Sequence, residues 1–95
     1  MTVKLIRMSS GEDLVSKLIE ENEENIIIEN AIVAVPTGNG NIGFVPWSPL
    51  LSKDQKELTV SKKFVVYIAD LEEEVVVQYN KMFSKIITPT NKLIK

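Results

Sequence analysis

The chain has 95 residues, a formal charge of −2, and 44% apolar and 25% charged side chains, which suits one folded domain spanning 1–95 and excludes a disordered tail. It holds neither cysteine nor histidine, which excludes disulfides, thiolate nucleophiles, sulfur-based zinc sites and every Ser-His or Cys-His relay. No apolar run approaches the ~18 residues of a membrane span, and the start at Met1 lacks a signal-peptide core, so a cytoplasmic, non-membrane protein is expected. Residues 1–48 carry seven acids and three bases, residues 49–95 six acids and eight bases, so any surface for phosphate must come from the second half.

Val3 to Met8 is a β-prone run ended by Ser9-Ser10-Gly11, a turn cluster. From Glu12 to Glu20 the apolar positions Leu14, Val15, Leu18 and Ile19 suit either a short helix or a strand by periodicity. The neighbourhood selects a strand: Gly11 precedes it, and the polar turn Glu20 to Asn25 leads into β-branched Ile26-Ile27-Ile28. Ile26 to Val35 is the strongest strand pattern, closed by Pro36 and apolar on both faces, as a strongly bent or doubly covered strand would be.

Thr37 to Asn41 reads as a turn, Ile42 to Trp47 as an edge strand limited by Pro46, and Ser48 to Glu57 as a loop. Leu58 to Ala69 alternates, with Val60, Phe64, Val66 and Ile68 on one face. Asp70 and Glu73 then form a capping-box pattern, and Leu71, Val75, Tyr79, Met82 and Ile86 fall on one stripe widened by Val76 and Phe83. The pattern predicts a helix over about residues 71–87, with 88–95 a frayed tail.

The segment Lys4 to Ala31 resembles the first sequence motif of the Sm/LSm family, through Gly11, Leu14-Val15, Lys17-Leu18, Asn22, Asn25 and Ile26 to Ala31. The resemblance covers about a third of the chain. It implies a mostly β fold, a strongly bent five-stranded open barrel, here with the α-helix at the C-terminal side. It also implies that the fourth strand of one subunit pairs with the fifth of the next, closing a homo-oligomeric ring of about five to eight copies and removing exposed edges. Ile42 to Trp47 and Leu58 to Ala69 would be those strands, with Phe44, Trp47, Val66 and Ile68 as interface residues.

The same resemblance implies single-stranded RNA as a partner, contacted by Asn22 and Asn25 in the turn. Independently of it, Lys62 and Lys63 of the basic half, with Lys53 and Lys56, offer a phosphate-binding face, although adjacent residues of a strand point to opposite sides. This chain departs from the family pattern in that the turn is one residue short. The base-stacking position falls on Glu24, and the family's basic pair after the fifth strand falls near Ala69-Asp70. Each residue also has a plain structural role: a turn asparagine satisfying its own backbone, solvated lysines, a core tryptophan between Pro46 and Pro49. Ser9 and Ser10 have no base nearby and no EF-hand spacing occurs, so no catalytic residue, no cofactor and no metal ligand is assigned, and the protein is expected not to be an enzyme. Two functions follow: an RNA-binding or RNA-chaperone-type ring, or a structural or adaptor oligomerisation module that has lost base binding. An enzyme with an all-carboxylate metal site is a distant third.

Overall fold

The computed structural model describes residues 2–52 and 54–84. In chain order it forms β1 (Thr2–Met8), β2 (Asp13–Glu21), β3 (Asn25–Pro36), β4 (Ile42–Pro46), β5 (Leu58–Ser61), a 3-10 turn (Lys62–Phe64), β6 (Val65–Ala69) and the helix α1 (Glu73–Ser84). The strands make one antiparallel sheet in the order β4-β3-β2-β1-β6, with β5 also on β3. The ladder is open: β4 and β6 end the order, each with one neighbour. No helix among the described residues is long and apolar enough to cross a membrane.

The long strand β3 is shared. Residues Asn25 to Ile28 pair with β5 and Ile32 to Pro36 with β4, while β2 runs along its other side. Asn30, at φ 56°, interrupts it in the left-handed region that asparagine tolerates better than most residues. One such residue reverses the alternation of faces. Before it Ile26 and Ile28 point into the main core with Ile6, Met8 and Leu14; after it Ala31 and Val33 take that side and Ile32 turns to the opposite one.

The opposite face is covered by α1. Leu71, Val75, Tyr79 and Phe83 pack on Val3, Val15, Ile32 and Phe44, so the sheet buries both faces of its middle strands. Tyr79 and Phe83, one turn apart, hold their rings 4.7 Å centre to centre. This explains why the strand patterns are apolar on both faces.

Several expectations need correction. Leu58 to Ala69 is not one strand, so the sheet has six strands among the described residues, not five. The 3-10 turn divides it, held by tertiary bonds: the Lys62 N–H donates to the Glu24 carbonyl at 2.8 Å, and the Ser9 N–H to the Phe64 carbonyl at 2.7 Å. Nor do Val60, Phe64, Val66 and Ile68 share a face. Val60, Val65 and Ile68 pack on the main core, whereas Phe64 and Val66 are 57% and 61% exposed. Between the pairs Arg7↔Tyr67 and Met8↔Val65 a bulge leaves Val66 without a partner and turns it out.

The helix begins at Glu73, not at Leu71. The Glu72 carbonyl accepts the N–H groups of Val75 at 3.0 Å and Val76 at 3.2 Å, and the Asp70 carboxylate is held by the Lys4 ammonium on β1. The capping box therefore does not form. The buried stripe continues through Phe83, while Met82 is 40% exposed. Residues 85–87 of the expected helix, Ile86 among them, and the expected frayed tail 88–95 lie outside the described residues.

Candidate functional site

Two turns meet at one corner of the sheet. The first joins β2 to β3, where the Asn22 Oδ1 accepts the N–H groups of Glu24 and Asn25, both at 2.9 Å, and the Asn22 N–H donates to the Asn25 carbonyl at 3.0 Å. An asparagine in this role replaces a backbone acceptor and fixes the turn. The second is the 3-10 turn, where the Ser61 Oγ accepts the Lys63 N–H at 3.2 Å as an N-terminal cap. The Lys62 to Glu24 backbone bond stitches the two together, with Asn25 opposite Ser61 in the ladder.

The corner encloses a shallow cleft of about 330 Å³, lined by Glu23, Glu24, Asn25, Ser61, Lys62 and Lys63. Asn25, Lys62 and Lys63 thus come together in space, although Lys62 follows the asparagine by 37 positions of sequence. Asn22 supports the turn from behind and does not line the cleft. In a continuous strand Lys62 and Lys63 would point to opposite faces; here they share a turn, because the chain there is helical.

The charges are mixed. The Lys62 ammonium pairs with Glu21 at 2.7 Å, and Lys63 is in none of the ion pairs among the described residues. Glu23 and Glu24 add two carboxylates. The arrangement offers an amide, one exposed ammonium and turn backbone to a ligand, which suits a polar group approached edge-on better than a densely charged phosphate run.

The other candidate residues lie on the rest of the sheet. Phe44 on β4 is half-buried against the helix cluster, and Trp47, just after β4, and Ile68 on β6 are half-buried against the main core. Val66 faces outward. Both terminal strands carry exposed apolar side chains: Ile42 at 65% and Val45 at 45% on β4, and Val66 and Tyr67 at 61% and 43% on β6. Ile42, Val45 and Tyr67 were not singled out by the sequence, although Pro46 marked Ile42 to Trp47 as an edge and β4 does end the order.

Beside β6, the Arg7 guanidinium carbon lies 5.8 Å from the Tyr67 ring centroid and its Nη2 donates to the Asp13 Oδ2 at 3.0 Å. That hydrogen bond holds the Asp13 carboxyl below the usual carboxylate range. Among the described residues no three Asp or Glu side chains converge in a way that would hold a metal ion. No protein-family model matches the chain, and no curated protein matches it.

Proposed function

We propose that this chain is a non-enzymatic, Sm-like module that closes into a homo-oligomeric ring by pairing β4 of one copy with β6 of the next, and binds single-stranded RNA at the corner cleft. The observation that carries the reading is the pair of open edges at the two ends of the ladder, each with exposed apolar side chains. Edges of that kind are covered in a stable assembly, and a head-to-tail pairing that closes on itself covers all of them. The 3-10 turn supports the barrel plan, since it carries the chain from the edge beside β3 to the edge beside β1 and bonds to both.

RNA binding is supported by the position of Asn25, Lys62 and Lys63 around one cleft. The basic pair that the sequence resemblance put near Ala69-Asp70 is better sought at Lys62-Lys63, now that the strand is known to break there. A base edge can bond to the asparagine amide while Lys63 meets a phosphate. A second reading, a structural or adaptor ring without base binding, draws on the Glu21 pairing with Lys62 and on the carboxylates of Glu23 and Glu24.

The test is native mass measurement of the full chain with and without oligo-U and oligo-A at low salt. The expected result is one discrete closed oligomer that retains oligonucleotide. A strict monomer at about 100 µM rejects the ring. A ring that ignores both oligonucleotides rejects RNA binding and leaves the adaptor.

A further inference from the structure

Between its two edge partners β3 has a gap. Residues 29–31 face neither β4 nor β5, because β4 pairs from Ile32 onward and β5 only as far as Ile28. Among the described residues, 47–52 and 54–57 lie between β4 and β5 beside this gap, and the Trp47 N–H donates to the Ala31 carbonyl at 3.1 Å. The loop does not fill the gap. Pro49 stiffens it, and Leu50, the residue with most to gain from burial, is 97% exposed.

What remains is a cavity of about 180 Å³. Its walls are apolar: Ile28, Ala31, Ile32, Leu58, Trp47 and Phe83. The indole is fixed as one wall by its own packing on the core and by its Nε1–H, which reaches the Glu12 Oε1 at 3.4 Å. At the mouth stand Asn30, Ser48 and Lys56. Lys56 is in none of the ion pairs among the described residues, whereas the neighbouring Gln55 amide is already used, donating to the Glu57 carbonyl at 2.6 Å.

We propose that this cavity binds a small molecule consisting of one planar ring that carries an anionic group, the ring against Trp47 and the anion at Lys56. Size and charge select this class. An apolar cavity of about 150 Å³ accommodates a benzene ring, so the volume here admits one planar ring. Aromatic walls favour a planar occupant over a branched aliphatic one. The Lys56 ammonium, in none of the ion pairs among the described residues, selects an anion over a neutral or cationic substituent. The inference does not depend on ring assembly or on RNA binding, since every wall comes from one copy.

The chain's sole tryptophan lines the cavity, so it reports occupancy directly. Titrating the full chain with benzoate should give a saturable change in Trp47 emission with a Kd of roughly millimolar, the affinity a ligand of this size can reach. Lys56→Gln should weaken benzoate about threefold and leave benzyl alcohol unchanged, and added salt should mimic that loss. Ala31→Leu, which fills the cavity, should abolish both responses. Backbone amide shifts in the wild-type chain should concentrate at Asn30, Ala31 and Trp47, a readout that needs no variant to fold. No saturable response up to about 20 mM of either probe overturns the proposal. So do amide shifts centred elsewhere, and so does a Lys56→Gln variant that binds benzoate as the wild type does.

Discussion

The hydroxyl of Tyr79 and the carbonyl oxygen of Asn30, 49 positions apart in sequence, stand 2.9 Å from each other where β3 turns over. The same hydroxyl lies 3.1 Å from the Glu29 carbonyl and accepts the Lys17 N–H at 3.2 Å. A phenol has one proton, so the two carbonyls share it, and Glu29 gains a second donor from the Ser16 Oγ at 2.9 Å. The helix thus supplies the hydrogen bonds that the β2–β3 ladder loses at the kink.

Removing that hydroxyl tests the clamp. Tyr79→Phe should cost about 1–3 kcal/mol, the penalty for leaving buried backbone groups unpaired, with little change in secondary structure. Tyr79→Ala should cost about 3–5 kcal/mol, because the ring is buried as well. Urea unfolding of both variants measures the difference.

The clamp also predicts an alkaline transition. Burial is the main cause that pushes the Tyr79 hydroxyl from its ordinary 10.0 up to about 12. The folded chain therefore keeps a proton that the unfolded chain gives up, and the resulting stability is complete below pH 10 and lost as pH rises towards 12. The loss should be roughly 3 kcal/mol and absent from Tyr79→Phe, as denaturant midpoints across that range would show.

Acid acts on a different pair. The Arg7 hydrogen bond lowers the Asp13 carboxyl from its ordinary 3.8, so the stability it adds is present above that value and lost as pH falls through the lowered one. Asp13→Asn should flatten the acid limb of the stability profile and leave the alkaline limb unchanged.

At the kink itself, backbone conformation sets the outcome. Asn30→Gly should be close to neutral, whereas Asn30→Ala should cost about 1–2 kcal/mol for a left-handed residue with a Cβ. Thermal unfolding distinguishes the two.

For the proposed RNA contact, Lys63→Gln should weaken oligo-U binding equally across sequences and reduce the salt slope by about one. Asn25→Ala should lower affinity with the salt slope unchanged. For assembly, Val66→Lys on β6 should yield monomers whose thermal stability stays within about 0.5 kcal/mol of the parent, since that side chain is solvated in a single copy.

Much of the sheet was legible because burial imposes a period. Ile26 and Ile28 are spaced as a strand requires and do face the main core, whereas the spacing of Leu14 and Leu18 suits a helix equally and β2 was legible from the turns that flank it. The 3-10 turn was not legible, since Lys62-Lys63-Phe64 has neither glycine nor proline and is bent by bonds to Glu24 and Ser9, which are distant in sequence. The reversal at Asn30 left only a faint trace, an asparagine inside an Ile/Val run. For the same reason the candidate site was legible as residue types and not as a place. Asn25 and Lys63 become neighbours only once the strand breaks between them and β6.

The excursion at 47 to 57 leaves the outer border of β3 in a five-residue and a four-residue piece, and β6 at the other end also has five residues. Cross-β stacking recruits flat segments of about six or seven residues. Each border here is shorter than that, and the two outer pieces are separated by a loop that cannot join the stack. The interruption that creates the cavity beside Trp47 thus also keeps the outer border of β3 in pieces shorter than the segments that cross-β stacking favours.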